Sequence, residues 1–255
     1  MSLMMNEKTI TAIPITGIPE INPGDDLSSI ITDAATRMGE ELCENDILVI
    51  SSKIVSKAEN RIVAQDSITV TDKAHEIAQR NQFDPFQVEL ALRESRKIIR
   101  NERVLITETH SGLICNFSGV DKSNAPEGIY VLLPKDSDSS AGHIRNSIME
   151  STGKKIAIII SDTEGRPWRR GSINLAIGCA GISPFKINRG RKDLYGRILE
   201  HSTVCQVDEL ASLAEPLMGQ AGQGVPVVII RGHSYSNSED SAKDINRLEE
   251  EDMFR

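Results

Sequence analysis

With 255 residues, 39% of them hydrophobic, the chain is long enough to enclose one large core or two modest ones, and at 4% aromatic that core has to be aliphatic. A net charge of -8 argues against a nonspecific nucleic-acid binder, which needs a basic surface, but leaves room for a small basic pocket. The longest purely apolar run, Ile156 to Ile160, is too short to cross a bilayer, so no membrane partner is expected.

In chain order, Met1-Ser2-Leu3 reads as a leader outside the fold, and no signal peptide is visible. Gly24-Asp25-Asp26 opens a helix through Leu27, Ile30, Ile31, Ala34, Ala35 and Met38, and Gly39 closes it. Asp46 to Ile50 predicts a buried strand. Asp84-Pro85 starts a second helix, with proline at its first position. Ser139-Ser140 caps a helix to about Ser151, and Ile156 to Ile160 is a strand ending in Ser161-Asp162-Thr163. Leu210 to Met218 predicts a helix and Val225 to Ile230 a strand; the polar tail from Ser234 to Arg255 predicts a surface helix. The mixture is α/β or α+β, without the regular alternation of a barrel. The stretch Asp136 to Ser140 is either a turn at a domain boundary or a helix cap. The four cysteines lie far apart, without a Cys-x-x-Cys pair; they read as small buried hydrophobes and fit a reducing cytoplasm. The five histidines show no ligand spacing.

Six segments carry chemistry. Ser161 to Gly171 sets Asp162 and Thr163 at a strand end, then Arg166, Arg169, Arg170 and the only tryptophan, Trp168. Carboxylate with hydroxyl suits Mg²⁺ or Mn²⁺, and nearby guanidinium groups suit an anionic substrate. The alternative is a solvated loop with a helix-capping aspartate. Ser118 to Asn124 offers Asp121 as a further metal oxygen and Asn124 as a hydrogen bonder, or is an ordinary Asx turn. Met218 to Pro226 has three glycines between helix and strand, which let backbone amides approach a ligand; it is neither a Walker loop nor a dinucleotide fingerprint, and it could merely end the helix. Asn188 to Arg197 is strongly basic, consistent with an anion pocket, RNA binding or a solvated loop. Thr16 to Pro19 and Ser51 to Lys57 add backbone donors, hydroxyls and a lysine that could meet phosphates, each bland alone.

Together these segments resemble the coenzyme F-420-0:L-glutamate ligase family. The matching pieces are Gly17-Ile18-Pro19, Gly24-Asp25-Asp26, Ser56-Lys57-Ala58-Glu59, Gly119-Val120-Asp121, Ser123-Asn124, Asp162-Thr163, Arg169-Arg170-Gly171, Gly190 to Arg197 and Leu217-Met218-Gly219. The resemblance implies a two-domain α/β fold particular to the family, in which residues 1–255 form a single ligase unit of two subdomains, with no added nitroreductase-like domain. It implies a cytoplasmic, intertwined homodimer and the small-molecule substrates of the family, a deazaflavin phosphodiester and L-glutamate. GTP is the implied co-substrate, with Mg²⁺ or Mn²⁺ and K⁺. The family's nucleotide contacts fall on Thr16, Gly17, Ile18, Pro19, Ser51, Ser52, Lys57, Asn124 and the loop Met218, Gly219, Gln220, Ala221, Gly222, Gln223, Gly224 and Val225. Its metal positions fall on Asp121, Asp162 and Thr163, and an acidic ligand is expected where this chain has Gln220, which offers an amide oxygen without charge. Asp121, Asp162, Arg169 and Arg170 are the implied catalytic set. The rival readings are a ligase for a different acyl acceptor, a nucleotide-binding module that has lost catalysis, and an RNA-binding module resting on Arg189 to Arg197.

Overall fold

The computed structural model describes residues 9–253, so the Met1-Ser2-Leu3 leader and the last two residues of the tail lie outside the described residues. Strand β1 (Thr11–Ile15) leads to helix α1 (Leu27–Arg37), and β2 (Ile47–Ser51) runs directly into α2 (Ser52–Ala58). A second group follows: β3 (Ile62–Ala64), α3 (Asp72–Asn81), α4 (Pro85–Arg93), β4 (Ser95–Arg100), β5 (Ile106–Thr109), β6 (Ile114–Asn116) and β7 (Ile129–Val131). The chain returns through α5 (Ser137–Thr152), β8 (Ala157–Arg166), β9 (Arg169–Ala180), β10 (Phe185–Ile187), β11 (Thr203–Cys205), α6 (Gln206–Met218) and β12 (Val227–Arg231).

Local chemistry sets the helix ends. The Asp26 carboxylate accepts from the Ser28 and Ser29 amides at 3.0 and 3.4 Å, capping α1. Asp84 caps α4 with Pro85 in the first turn, as the sequence predicts. For α5 the cap is Asp136, which accepts from the Ser139 amide at 3.1 Å; the expected Ser139-Ser140 cap lies inside the helix. An ionised carboxylate at this position binds orphan amides and the helix dipole better than a hydroxyl three residues later. The stretch Asp136 to Ser140 is therefore a helix start.

The aliphatic runs form a five-stranded sheet in the order β1-β12-β2-β8-β9, with β2 and β8 parallel and the other pairs antiparallel. Alternate residues of each strand face opposite sides. Leu48, Ile50, Ile158, Ile160, Val227 and Ile229 pack on Ile31, Ala34, Ile144 and Ile148 of α1 and α5. Ile47, Val49, Ala157, Ile159, Val228 and Ile230 pack on Val207, Leu210, Ala211 and Ala214 of α6. Covered on both faces, these strands read as continuous apolar runs. Residues 62–132 build a separate, smaller core, in which Ala74, Ile77 and Ala78 of α3 meet Val88, Leu90 and Ala91 of α4, with Leu105 and Tyr130. Helix α5 crosses β9 so closely that a Cβ on Gly178 would stand 2.4 Å from the Ser137 carbonyl carbon, which only glycine permits.

The tail differs from its expected helix. It forms two short 3₁₀ turns, Ala242–Ile245 and Glu249–Glu251. One Asp138 oxygen accepts from the amides of Cys179 and Ala242, both at 2.9 Å, and the other from the Ser241 hydroxyl. Helical bonding yields here to docking on α5 and β9, which buries Ala242. Cys115 and Cys179 are buried as expected, Cys205 is half-buried, and Cys43 is exposed. Among the described residues, no helix is long and apolar enough to cross a membrane.

Candidate active site

A cleft of about 590 Å³ opens at the carboxyl ends of β2 and β8, between the main sheet and the smaller lobe. Ends of parallel strands are where open α/β sheets bind ligands, because the loops there diverge. Four segments converge. The end of β2 and the start of α2 supply Ser51, Lys53 and Lys57; β8 supplies Asp162, Thr163 and Glu164. The smaller lobe supplies Asp121, Ser123 and Asn124, and the loop after α6 supplies Met218 to Pro226.

Strand β8 does not stop at Thr163. It continues to Arg166 and returns as β9, pairing Thr163 with Asn174 and Glu164 with Ile173. Asp162 and Thr163 therefore sit in a rigid hairpin, not in a loop, and neither caps a helix. The strand's two-residue period divides the site. On one side the Asp162 carboxylate accepts from the Ser52 hydroxyl at 2.9 Å, near Asp121 and Glu164. On the other, the Thr163 hydroxyl lies 2.9 Å from Asn174 Oδ1 and 3.1 Å from Gln220 Oε1. Gln220 donates its amide to Glu215 at 2.9 Å, which turns its carbonyl oxygen toward Thr163.

Asp121 comes from a strained turn. Phe117, Ser118 and Asn124, none of them glycine, have left-handed φ of 49, 52 and 51°. The Ser118 hydroxyl, bonded to Thr107 at 2.7 Å and to the Ala91 carbonyl at 2.8 Å, holds that geometry. Asp121 accepts from the Ser123 amide at 2.8 Å, the Asx turn considered from sequence, and its other oxygen meets Lys53 Nζ at 2.7 Å. The turn and the cleft position coexist.

Electrostatics separate the acids. Burial raises the Asp162 pKa to about 6, against the Ser52 hydrogen bond, and neighbouring Asp121 adds to the rise. Burial raises Glu164 to about 8, with repulsion from Asp162. Burial also opposes ionisation of Asp121, but Lys53 and Ser123 outweigh it and hold its carboxyl below the ordinary range. Lys53 is thus matched to Asp121, while the carboxyls of Asp162 and Glu164, desolvated and without a matched cation, are pushed toward their neutral forms.

That imbalance bears on the expected divalent ion. Among the described residues, no three His, Cys, Asp or Glu side chains form a ready-made metal cluster. The available donors are all oxygen and stand in two sets, the carboxylates of Asp121 and Asp162 on one face of β8 and the Thr163 hydroxyl and Gln220 amide oxygen on the other; each suits a hard dication that takes its remaining ligands from substrate phosphates or water. The residues fit such an ion. For K⁺, the structure singles out no donor set.

Not every residue singled out from sequence reaches the cleft. Ile18 and Pro19 line it, but Thr16 and Gly17 lie outside its wall, where the Thr16 amide meets Met38 Sδ at 3.1 Å and the Gly17 carbonyl meets Arg37 at 3.3 Å. Ser52 lies buried below the floor. In the glycine loop, Met218, Gly219, Gln220, Ala221, Gly222, Gly224 and Val225 line the cleft. Gln223 instead buttresses the loop, its side-chain oxygen accepting from the Ala221 amide at 2.8 Å. Arg169 and Arg170 are exposed beyond the cleft, near the hairpin tip. The basic segment from Asn188 to Arg197 forms an exposed arm between β10 and β11, also apart from the cleft. Lys53, Glu164, Asn174, Glu20 and Glu215 were not singled out. Glu164 was legible, two residues past Asp162 on a strand. Asn174 and Glu215 were not, because they arrive by hairpin pairing and helix packing. A second cavity, of about 370 Å³ beside Arg61, His110, Lys135 and Asp208, contains neither Asp121 nor Asp162.

The model of the F420-0:Gamma-glutamyl ligase family matches residues 16–232. This chain belongs to that family. It is a ligase. Among curated relatives it is similar to the coenzyme F420:L-glutamate ligase of Methanothermobacter thermautotrophicus, 43% identical over 249 residues that cover 96% of this chain and 99% of the relative. The enzyme of the same name from Archaeoglobus fulgidus is 40% identical over 246 residues, 96% of each chain. That of Methanosarcina barkeri is 37% identical, over 96% of this chain and 94% of the relative. The family match begins at Thr16 and takes in every cleft-lining residue, while most of the docked tail lies beyond it.

Proposed function

We propose that the chain is a GTP-dependent ligase that joins L-glutamate, through an amide bond, to the carboxylate of coenzyme F420-0, a deazaflavin phosphodiester. The observation that carries this reading is the convergence of Asp121, Asp162, two lysines and a glycine-bearing loop in one cleft, in a chain matched over most of its length to enzymes named coenzyme F420:L-glutamate ligase.

A carboxylate does not acylate an amine directly, since oxide would have to leave. In the proposed reaction a carboxylate oxygen of the acceptor attacks the γ-phosphorus of GTP, the bond to the β-phosphate oxygen breaks, and GDP leaves. The glutamate amine then attacks the acyl carbon, phosphate departs with the acyl oxygen, and the new amide nitrogen releases a proton. Lys57, buried and fixed by Glu20 and by the Asn124 carbonyl at 3.1 Å, supplies fixed positive charge for phosphate. Lys53 does the same from the Asp121 side. Backbone amides of the Met218 to Val225 loop, together with Ile18, Pro19, Ser51 and Asn124, form the wall against which the nucleotide lies. Asp121, Asp162, Thr163 and Gln220 would hold Mg²⁺ or Mn²⁺, which when bound neutralises charge on the transferring phosphoryl group. Arg169 and Arg170 grip substrate anions. The enzyme works as a cytoplasmic homodimer, a reading supported by the exposed apolar side chains Ile187, Leu194, Tyr195 and Ile198 on the basic arm and its base.

The test is incubation with F420-0, L-glutamate, GTP, K⁺ and Mn²⁺, with mass spectrometry of the products. A glutamate adduct formed with stoichiometric GDP supports the reading; GTP bound but unconsumed in the presence of both co-substrates would sink it.

A further inference from the structure

Of the four acids that line the cleft, three have partners in the protein. Glu20 meets Lys57, Asp121 meets Lys53, and Asp162 accepts from the Ser52 hydroxyl. Glu164 is the fourth. It forms no ion pair among the described residues, and its carboxylate accepts from the amide of its neighbour in sequence, Gly165. Both cleft lysines are already matched, so neither is left to offset its charge.

Its placement is set by the hairpin. Strands β8 and β9 pair without interruption from Ser161–Ala176 to Glu164–Ile173. The two-residue period therefore turns Glu164 to the face that carries Asp162, away from Thr163 and Gln220, about 7 Å along the strand from Asp162. The buried Cys115 of β6 lies near both acids. A carboxylate enclosed in this way, close to a second acid and without a cation, is unfavourable in the protein alone; its complement is a positive charge brought by a ligand. A dication shared with Asp121 and Asp162 would have to draw all three side chains to about 2.1 Å, and no three acids converge in that manner among the described residues. An ammonium asks less: one carboxylate within hydrogen-bond distance. The joining of an amino acid brings an ammonium into this cleft.

We infer that Glu164 receives the α-ammonium of the incoming amino acid and holds its nitrogen beside the activated acyl carbon. The inference rests on the proposed reading of the reaction and adds which side chain takes the amine. The spacing suits the task. With the transferred phosphoryl group at Asp162, the acyl carbon lies between it and Glu164, and a gap of about 7 Å leaves room for an attack distance of about 3–3.5 Å. Of the two protons the ammonium sheds in becoming an amide, one leaves on the phosphate and the other goes to solvent. Removing the charge of Glu164 leaves the ammonium a dipole in place of an anion. The loss falls on affinity for the amino acid and spares the phosphoryl transfer that precedes it.

The test uses the full chain with GTP, F420-0, Mn²⁺ and K⁺. Glu164→Gln, which keeps the side chain's shape, should raise KM for L-glutamate by about 10-fold to 100-fold, the loss of one charge-assisted hydrogen bond. KM for GTP, KM for F420-0 and the half-saturating Mn²⁺ concentration should stay at the wild-type values, and Glu164→Asp should recover part of the loss. Two probes lack the positive charge. Hydroxylamine, an uncharged nucleophile at neutral pH, should trap the acyl phosphate as a hydroxamate at the same rate in wild type and Glu164→Gln. Glutarate, which is glutamate without its amine, should inhibit both with the same Ki. An unchanged glutamate KM in Glu164→Gln overturns the inference. A glutarate Ki that rises in step with that KM assigns Glu164 to the shape of the pocket, and a raised half-saturating Mn²⁺ concentration assigns it to the metal; either result also overturns it. Calorimetry of glutamate binding to protein saturated with Mn²⁺ and GDP keeps the parent reading separate. Weaker binding by Glu164→Gln, with no ligation by wild type, refutes only the proposed function, whereas ligation with equal glutamate affinity in the two proteins refutes only the ammonium site.

Discussion

Asp162 occupies a position where a carboxylate is both desolvated and close to other acids. Asp162→Asn keeps an oxygen to accept from Ser52, so the circular dichroism spectrum and thermal midpoint should match wild type. It removes the anionic charge a hard dication needs, and ligation should fall by roughly 100-fold or more. Near-wild-type turnover at limiting Mn²⁺ would remove Asp162 from the metal set. Gln220 poses the complementary question. Its carbonyl oxygen already faces Thr163, so Gln220→Glu would place charge at a site where an oxygen stands. It also replaces the amide that donates to Glu215 with a second carboxylate, so the metal-free variant should be less stable than wild type. A dication relieves that repulsion, and the half-saturating Mn²⁺ concentration for glutamate-dependent GTP turnover should drop. A value equal to or above wild type would show that Gln220 serves the loop and not the metal.

At the scale of elements, the glycine loop shows how a sequence motif acquires specific roles. The three glycines look equivalent in sequence, but Gly219 and Gly224 have φ of +68 and +67°, while Gly222 has no positive φ and open space around it. A Cβ on Gly219 would stand 2.3 Å from the Gln223 side chain, the same side chain that holds the Ala221 amide. Steric sensitivity thus falls on Gly219, whose φ of 68° with ψ of 172° is essentially confined to glycine and costs another residue about 1–3 kcal/mol. Gly219→Ala should weaken GTP binding by roughly tenfold in calorimetry and leave the acceptor's affinity at its wild-type value. Unchanged GTP affinity would make the loop a helix terminator only. The β8–β9 hairpin carries a related lesson. The apolar run Ile156 to Ile160 marks the strand in sequence, but the polar half from Ser161 to Arg166 is extended only because β9 pairs with it.

At the scale of the molecule, two lobes with separate cores meet at the cleft, and the smaller lobe that presents Asp121 has its own acid sensitivity. Burial would raise Glu89, but the Thr71 amide at 3.0 Å, the Thr71 hydroxyl at 2.7 Å and Arg93 at 2.8 Å outweigh it and hold its pKa below 4.5. Asp84 is likewise held below 3.8, burial being outweighed by Tyr130, Lys122 and the Phe86 amide. A carboxyl with a folded pKa below its unfolded value binds protons more readily when unfolded. Its stabilisation is complete above the unfolded value and is lost as pH falls through the folded one. Glu89→Gln should therefore lower the stability of the smaller lobe by about 1–3 kcal/mol at neutral pH, measured by hydrogen exchange of α3 and α4. The difference from wild type should shrink below about pH 4; a difference independent of pH would show that Glu89 stabilises by packing and not as an anion.

The sequence by itself determined the aliphatic strands of the sheet, the caps Asp26 and Asp84, the glycine-bearing loop and the pairing of carboxylate with hydroxyl at Asp162-Thr163. These are local signals: apolar runs, capping side chains and turn residues act within a few positions of one another. Tertiary structure decided what those signals join. Asp121 reaches the neighbourhood of Asp162 from the smaller lobe, Lys53 is matched to Asp121 and not left for phosphate alone, and Gln220 meets Thr163. It also turned the tail from an expected helix into a strap held by Asp138, and set Arg169 and Arg170 on a hairpin tip outside the cleft. Each of these outcomes depends on residues distant in sequence, and periodicity carries no information about which distant surface will offer a partner: a polar tail, a basic run or an aspartate in a turn folds locally in several ways at similar free energy, and burial against the assembled sheet selects one.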